Sequence, residues 1–175
     1  MIDYDMDETG PAPQGGKVAT ASRIVYWQGG WPGGYEAFEF DLAAHTFNCE
    51  IVTMDGVPDG EHVALRPLPY RFTDGEWAKV SELLGLTAID GWEKDYNNNE
   101  CCDGTSWSLS LFEGKTETRR IEGYNDWPQM GWVTIDELLE FACGLAGLPP
   151  DTHTLFGNSG EEEGEDDESP EALEQ

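Results

Sequence analysis

Positive charge is scarce in this chain of 175 residues, where nine Lys and Arg stand against 36 Asp and Glu for a formal net charge of −27. A body of that sign repels phosphate backbones and anionic lipid headgroups over a Debye length of about 8 Å in physiological salt. Direct binding to nucleic acid or to a membrane surface is therefore not expected. Long apolar runs are also missing, since none approaches the roughly 18 residues that span a bilayer. Ile2 and Tyr4 sit among acids instead of opening a secretory signal. A soluble, cytoplasmic chain is expected, with its four cysteines reduced. The three histidines, His45, His62 and His153, form no zinc spacing, and Cys101 and Cys102 are adjacent and not separated as C-x-x-C. No nucleophile elbow, P-loop, dinucleotide fingerprint or H-E-x-x-H motif is present. No metal, no cofactor and no catalytic residue is expected, and the chain is not expected to be an enzyme.

Acid is abundant and unevenly placed. Residues 1 to 16 hold four acids and residues 151 to 175 hold ten, with no base in either stretch, so 22 of the 36 remain with all nine bases in the body between. The charge therefore belongs to the folded part as well as to the ends. Residues 1–19 read as a flexible acidic segment and 20–150 as one domain. Residues 151–175 read as a disordered acidic tail, because they have little apolar surface to bury.

Within the domain, "RIVYWQ" from Arg23 is β-branched and aromatic and stops at "GGWPGG". "YEAFEFDL" alternates, with Phe38, Phe40 and Leu42 opposite Glu39 and Asp41. "HTFNCEIVT" continues as a third strand, with Ala43 and Ala44 in the connection, and "HVALRPLP" (62–69) reads as a short edge strand limited by proline. Thr73 and Glu76 have the spacing of a capping box, Trp77, Val80 and Leu84 share a helical face, and Gly85 supplies a stop. "TSWSLSLFEGKTETRRIEG" folds as a hairpin about Glu113–Gly114, with Trp107, Leu109 and Leu111 inward. A second capping box, Thr134 with Glu137, opens a helix on Ile135, Leu138, Leu139 and Ala142 that ends near Gly144 to Gly147. The expected fold is α+β: an antiparallel sheet of about five to six strands with two helices on one face.

The stretch "NNNECCDGTSW" (97–107) invites a functional reading. Asp95, Asn97 and Asn99 match the start of a calcium loop, but Glu100 stands where the turn needs glycine and Ser106 where it needs glutamate. Asp3, Asp5 and Asp7 repeat the near-miss, with Glu8 and Gln14 at those places. The Cys101–Cys102 pair sits among acids, which raise thiol pKa values and slow thiolate chemistry. Trp27, Trp31, Trp92, Trp127 and Trp132 lie in or beside expected loops, where tryptophan serves either as an interface anchor or as a plug for the core.

The pattern "CDGTSWSLSL", a short turn, then "RRIEGYNDWP" and a helix resembles a group of small, mostly uncharacterised bacterial α+β domains. The resemblance runs from Thr73 to Leu145 and rests on Asp103, Gly104, Thr105, Trp107, Leu109, Gly123, Asn125 and Pro128. It implies the fold and a structural role for both elements, with no catalytic centre and no named partner.

Charge and pattern together point to a non-catalytic acidic protein that captures or inhibits a basic partner. Two forms fit: an immunity-like inhibitor of a nuclease, or a nucleic-acid mimic whose carboxylates stand in for phosphates on a nucleic-acid-binding protein. The expected contact groups are Glu93, Asp95, Glu100, Asp103 and Asp126 with Trp92 and Trp127. Two alternatives remain open at this point: an acid-rich housekeeping domain of a salt-adapted cell, and a small enzyme using a cysteine or a carboxylate pair.

Overall fold

Side-chain alternation sets which face of each strand meets the core. The computed structural model of the protein describes residues 2, 13–30, 33–53, 63–98 and 104–148. Strand β1 (Arg23–Gly30) turns Ile24 and Tyr26 to the main core and Val25 to the opposite face. Strand β2 (Gly34–Asp41) pairs with it antiparallel, setting Phe38 opposite Tyr26 and Phe40 opposite Ile24. Strand β3 (Thr46–Thr53) then sets Cys49 against Phe38 and Phe47 against Phe40. The turn between β2 and β3 is held by the Asp41 carboxylate, which accepts the N–H groups of Ala43 at 3.0 Å and Ala44 at 2.7 Å.

Strands β4 (Val63–Leu65) and β5 (Tyr70–Arg71) both pair with β3. Between them Pro67 and Pro69 lack the N–H a ladder needs, so the edge strand expected over 62–69 pairs only at Val63–Leu65 among the described residues, and β5 forms beyond it. Strand β6 (Asp95–Asn97) lies parallel to β8 (Thr116–Tyr124), which pairs with β7 (Thr105–Glu113) across the turn at Gly114. The order is β4-β3-β2-β1-β7-β8-β6, with β5 beside β3. The fold is α+β, built on a mostly antiparallel sheet of eight strands. The two strands beyond the expected five to six are β5 and β6, which are too short for alternation to show in sequence.

Helix α1 (Asp74–Leu86) begins at the expected box: Thr73 Oγ1 accepts the Glu76 N–H at 3.4 Å, and the Glu76 carboxylate accepts the Thr73 N–H at 2.7 Å. Gly85 does not end it. The chain stays helical to Leu86, the Thr87 N–H donates to Leu83 O, and Ala88 takes the left-handed turn at φ 53°. Helix α2 (Trp132–Leu145) begins two residues before the expected box at Thr134, behind Gly131 at φ 87°. A Cβ on Gly131 would lie 1.8 Å from the Thr87 carbonyl oxygen. The start of α2 is thus set by a close backbone approach to the end of α1, which local capping spacing does not encode. Val80, Leu83 and Leu84 of α1 and Ile135, Leu138 and Leu139 of α2 join one core with Ile24, Phe38, Phe47, Leu109 and Ile121 of the sheet. Both helices therefore cover the same face, and each fully buried aliphatic or aromatic side chain contributes roughly 1.5–3 kcal/mol.

The N-terminal boundary also differs from expectation. The Gly16 N–H donates to Thr118 O at 2.8 Å, the Arg120 N–H donates to Pro13 O at 2.9 Å, and Gln14 bridges Arg119. Residues 13–16 thus cover the first half of β8 while β6 covers the second, which protects an edge that would otherwise pair elsewhere. Ile2 is buried against Val25 and Ala37 on the face away from the helices. The tail at 151–175, Trp31, Cys101 and Cys102 lie outside the described residues.

Candidate functional site

The segment 92–98 leaves α1 through a single 3-10 turn, Ile89–Gly91, and runs along the sheet edge as β6. Asp95 pairs in register with Glu122 of β8, and Asp126 follows two residues after Tyr124, the partner of Asn97. Glu93, Asp95, Glu122 and Asp126 are all exposed. The edge therefore gathers three of the expected contact acids, and it adds Glu122, which pairing alone brings in. Glu100 and Asp103 lie outside the described residues. Asp95 and Asn97, the start of the apparent calcium loop, form strand β6. No group of three or more His, Cys, Asp or Glu among the described residues is arranged to hold a metal ion.

The two expected aromatic anchors part company. Trp92 is 7% exposed, its indole N–H donates to Thr87 O at 3.0 Å, and its ring meets Trp107 and Trp132. It is a core residue and not a surface anchor, because the Arg119 guanidinium, donating to the Trp92 carbonyl at 2.6 Å, and the aromatic cluster draw it inward. Trp127 is half-buried on Trp132.

Both quoted sequence elements act as one brace. Asn125, at φ 48°, accepts the Thr105 N–H on Oδ1 at 2.8 Å and donates its own N–H to Thr105 O at 3.0 Å. The Trp107 indole N–H donates to Asp126 O at 2.8 Å, and the ring lies over Gly123, where a Cβ would fall 2.1 Å from Nε1. These residues join β7 to the approach of α2.

Six of the nine bases, all of which lie within the described residues, are engaged by acids of the same body. Arg66 meets the buried Glu50 carboxylate at 2.6 Å, and Arg120 meets Glu117 at 2.8 Å. The Arg66 hydrogen bond holds the Glu50 carboxyl below its ordinary value. Arg23 reaches Glu39 at 3.1 Å and lies over the Phe112 ring. Lys94 and Asp95 meet at 3.3 Å on the surface, a pairing worth at most about 1 kcal/mol and readily exchanged. Glu93, Glu122, Asp126, Glu137 and Glu140 take part in none of these pairs. On α2, Glu137 and Glu140 are exposed on a helix that carries no base. The helical period of Ile135, Leu138, Leu139 and Ala142 places them outward, a signal present in the sequence.

A buried polar chain runs along the core face of β1 and β2. The Tyr26 hydroxyl donates to the Gln28 amide oxygen, and the Gln28 amide nitrogen donates to the Glu36 carboxyl. Glu36 is wholly buried, and its second oxygen has no partner among the described residues. Burial pushes its carboxyl up to about 9 against the opposing hydrogen bond from Gln28, and the Asp136 carboxylate adds to the rise. At neutral pH it is a buried, uncharged acid. Beside it the thiols of Cys49 on β3 and Cys143 on α2 hydrogen-bond each other, a meeting hidden in sequence by their separation. That contact and burial raise the Cys143 thiol.

The chain matches no protein-family model and no curated protein. No helix among the described residues is long and apolar enough to cross a membrane.

Proposed function

We propose that this is a non-catalytic acidic binding protein that captures a basic protein partner, as an immunity-like inhibitor or a nucleic-acid mimic does. The supporting observation is the division of charge in the folded body. Bases are largely consumed by internal pairs, while Glu93, Glu122 and Asp126 at the β6 edge and Glu137 and Glu140 on α2 stay outside those pairs and face solvent. Unpaired, exposed carboxylates speed encounter with a cationic surface and select against anionic ones. The buried Glu36, neutral and enclosed, is poorly suited to act as a base on a solvent-borne substrate.

The test is capture from the native cell extract by the intact chain and by a variant with Glu93→Gln, Asp95→Asn, Glu122→Gln and Asp126→Asn. A basic partner should be retained by the intact chain, released as salt rises, and bound at least about tenfold more weakly by the variant. Retention that ignores both salt and these substitutions would overturn the reading. A chain that captures nothing and folds only in molar salt would support the salt-adaptation alternative instead.

A further inference from the structure

A groove of about 430 Å³ opens beside α1, walled by Trp77 and Leu84 of the helix, Leu42 of the β2–β3 turn and Val18, with Gly85 in its wall and Asp90 at its end. That volume lies within the roughly 300–1,000 Å³ of sites that hold small molecules or side chains. Contacts within the chain brace the walls. Trp77 stacks on His45 at 4.1 Å, and the Val18 N–H donates to the Asp90 carboxylate at 2.9 Å. Thr20 ties the same N-terminal segment to Glu113 at 2.7 Å. Gly85 keeps the groove open: it is helical, and a Cβ there would meet nothing within 4 Å. Glycine inside a helix is less favourable than alanine, and neither backbone angle nor crowding requires it at this position.

The surroundings are acidic. Asp41 adjoins Leu42, Asp74 lies one turn before Trp77, and Glu113 holds Thr20, whereas the bases here are Lys17 beside Val18, Lys79 paired with Glu82, Arg119 at 4.0 Å from Asp90 and Lys94 at 3.3 Å from Asp95, the last an exposed pair that a partner's base can replace. From Asp90 the chain runs five residues through Glu93 to Asp95, so the groove and the β6 edge lie within about 18 Å of each other. A helical segment of about 12 residues has that length.

We infer that this groove is the docking site for an apolar side chain borne on a cationic, amphipathic segment of the partner protein, whose basic residues lie along Asp90, Glu93 and Asp95. The inference rests on the acidic-capture reading and adds where the partner is anchored and what it must present. Charge alone would let any polycation bind. The groove demands an apolar residue beside the positive ones.

The experiment uses the full chain, labelled with ¹⁵N, and three synthetic helical peptides. The first presents leucines on one face and lysines on the other, the second replaces the leucines by serine, and the third replaces the lysines by glutamate. In salt of about 50 mM, where screening is modest, the Leu/Lys peptide should shift the amides of Ser81, Gly85 and Ala88. It should bind at least about tenfold more tightly than either of the others. Gly85→Phe and Ser81→Phe, each set on the exposed helix surface and checked for retained helix by circular dichroism, should each weaken it by a similar factor. If the Leu/Lys and Ser/Lys peptides bind alike and shift only the β6 edge, the groove is not the anchor, although acidic capture stands. Equal binding of the Leu/Glu peptide also overturns the inference. Groove amides that shift on deletion of residues 149–175, or on dilution, would assign the groove to the chain's own tail or to a second copy. If no cationic peptide binds, both readings fall together.

Discussion

Replacing Glu36 by glutamine should reverse the alkaline weakening of this fold. The side chain is 0% exposed, and its carboxyl is raised from 4.5 to about 9. At 1.36 kcal/mol per pH unit, that difference corresponds to about 6 kcal/mol, a large share of the roughly 5–15 kcal/mol by which domains are stable. The native state holds the proton that the unfolded chain releases. The contribution is therefore complete below pH 4.5 and is lost progressively as pH rises toward 9. Each unit in that window should remove about 1.4 kcal/mol from the wild type, or about 0.7 M in urea midpoint for an m-value near 2 kcal/mol per M. Glutamine does not titrate, but its amide brings an extra buried N–H at a constant cost of about 1–3 kcal/mol. The variant should thus be less stable at pH 5 and more stable at pH 8, with the curves crossing between about pH 5.2 and 6.7. Urea unfolding followed by tryptophan fluorescence across this range measures both curves. Midpoints that stay a constant distance apart would refute a buried, uncharged Glu36.

Three further substitutions probe the frame. Gly123→Ala forces a Cβ to within 2.1 Å of the Trp107 ring and should cost about 1–3 kcal/mol or more, read as a fall of about 3–12 °C in Tm. Thr73→Ala removes a cap that is made and should cost about 1 kcal/mol, whereas Thr134→Ala, already inside α2, should stay within about 0.5 kcal/mol; chemical denaturation separates the two. Deleting residues 1–19 removes the hydrogen bonds to β8 and the burial of Ile2, and thermal melts should show Tm lower by about 10 °C. An unchanged Tm would return that segment to the flexible role first expected of it.

The amino-acid order alone determined whatever depends on neighbours a few positions apart. Alternation through Phe38 and Phe40, the Thr73 box and the spacing of Ile135, Leu138 and Leu139 repeat with the period of their own element, so the main strands and both helices are legible from it. Net charge is additive, so its sign is equally local knowledge. Tertiary structure decided what depends on distant segments meeting. Gly131 starts α2 because Thr87 lies against it, Trp92 turns inward because the Arg119 side chain and the aromatic cluster receive it, and β6 exists because β8 offers it an edge. The uncharged Glu36, the paired Cys49 and Cys143 and the open groove at Gly85 likewise arise only where separate elements enclose a space. A chain's periodicity records which side of an element is apolar, but desolvation and contact are properties of the packed whole, and they come into being only when the elements close on one another.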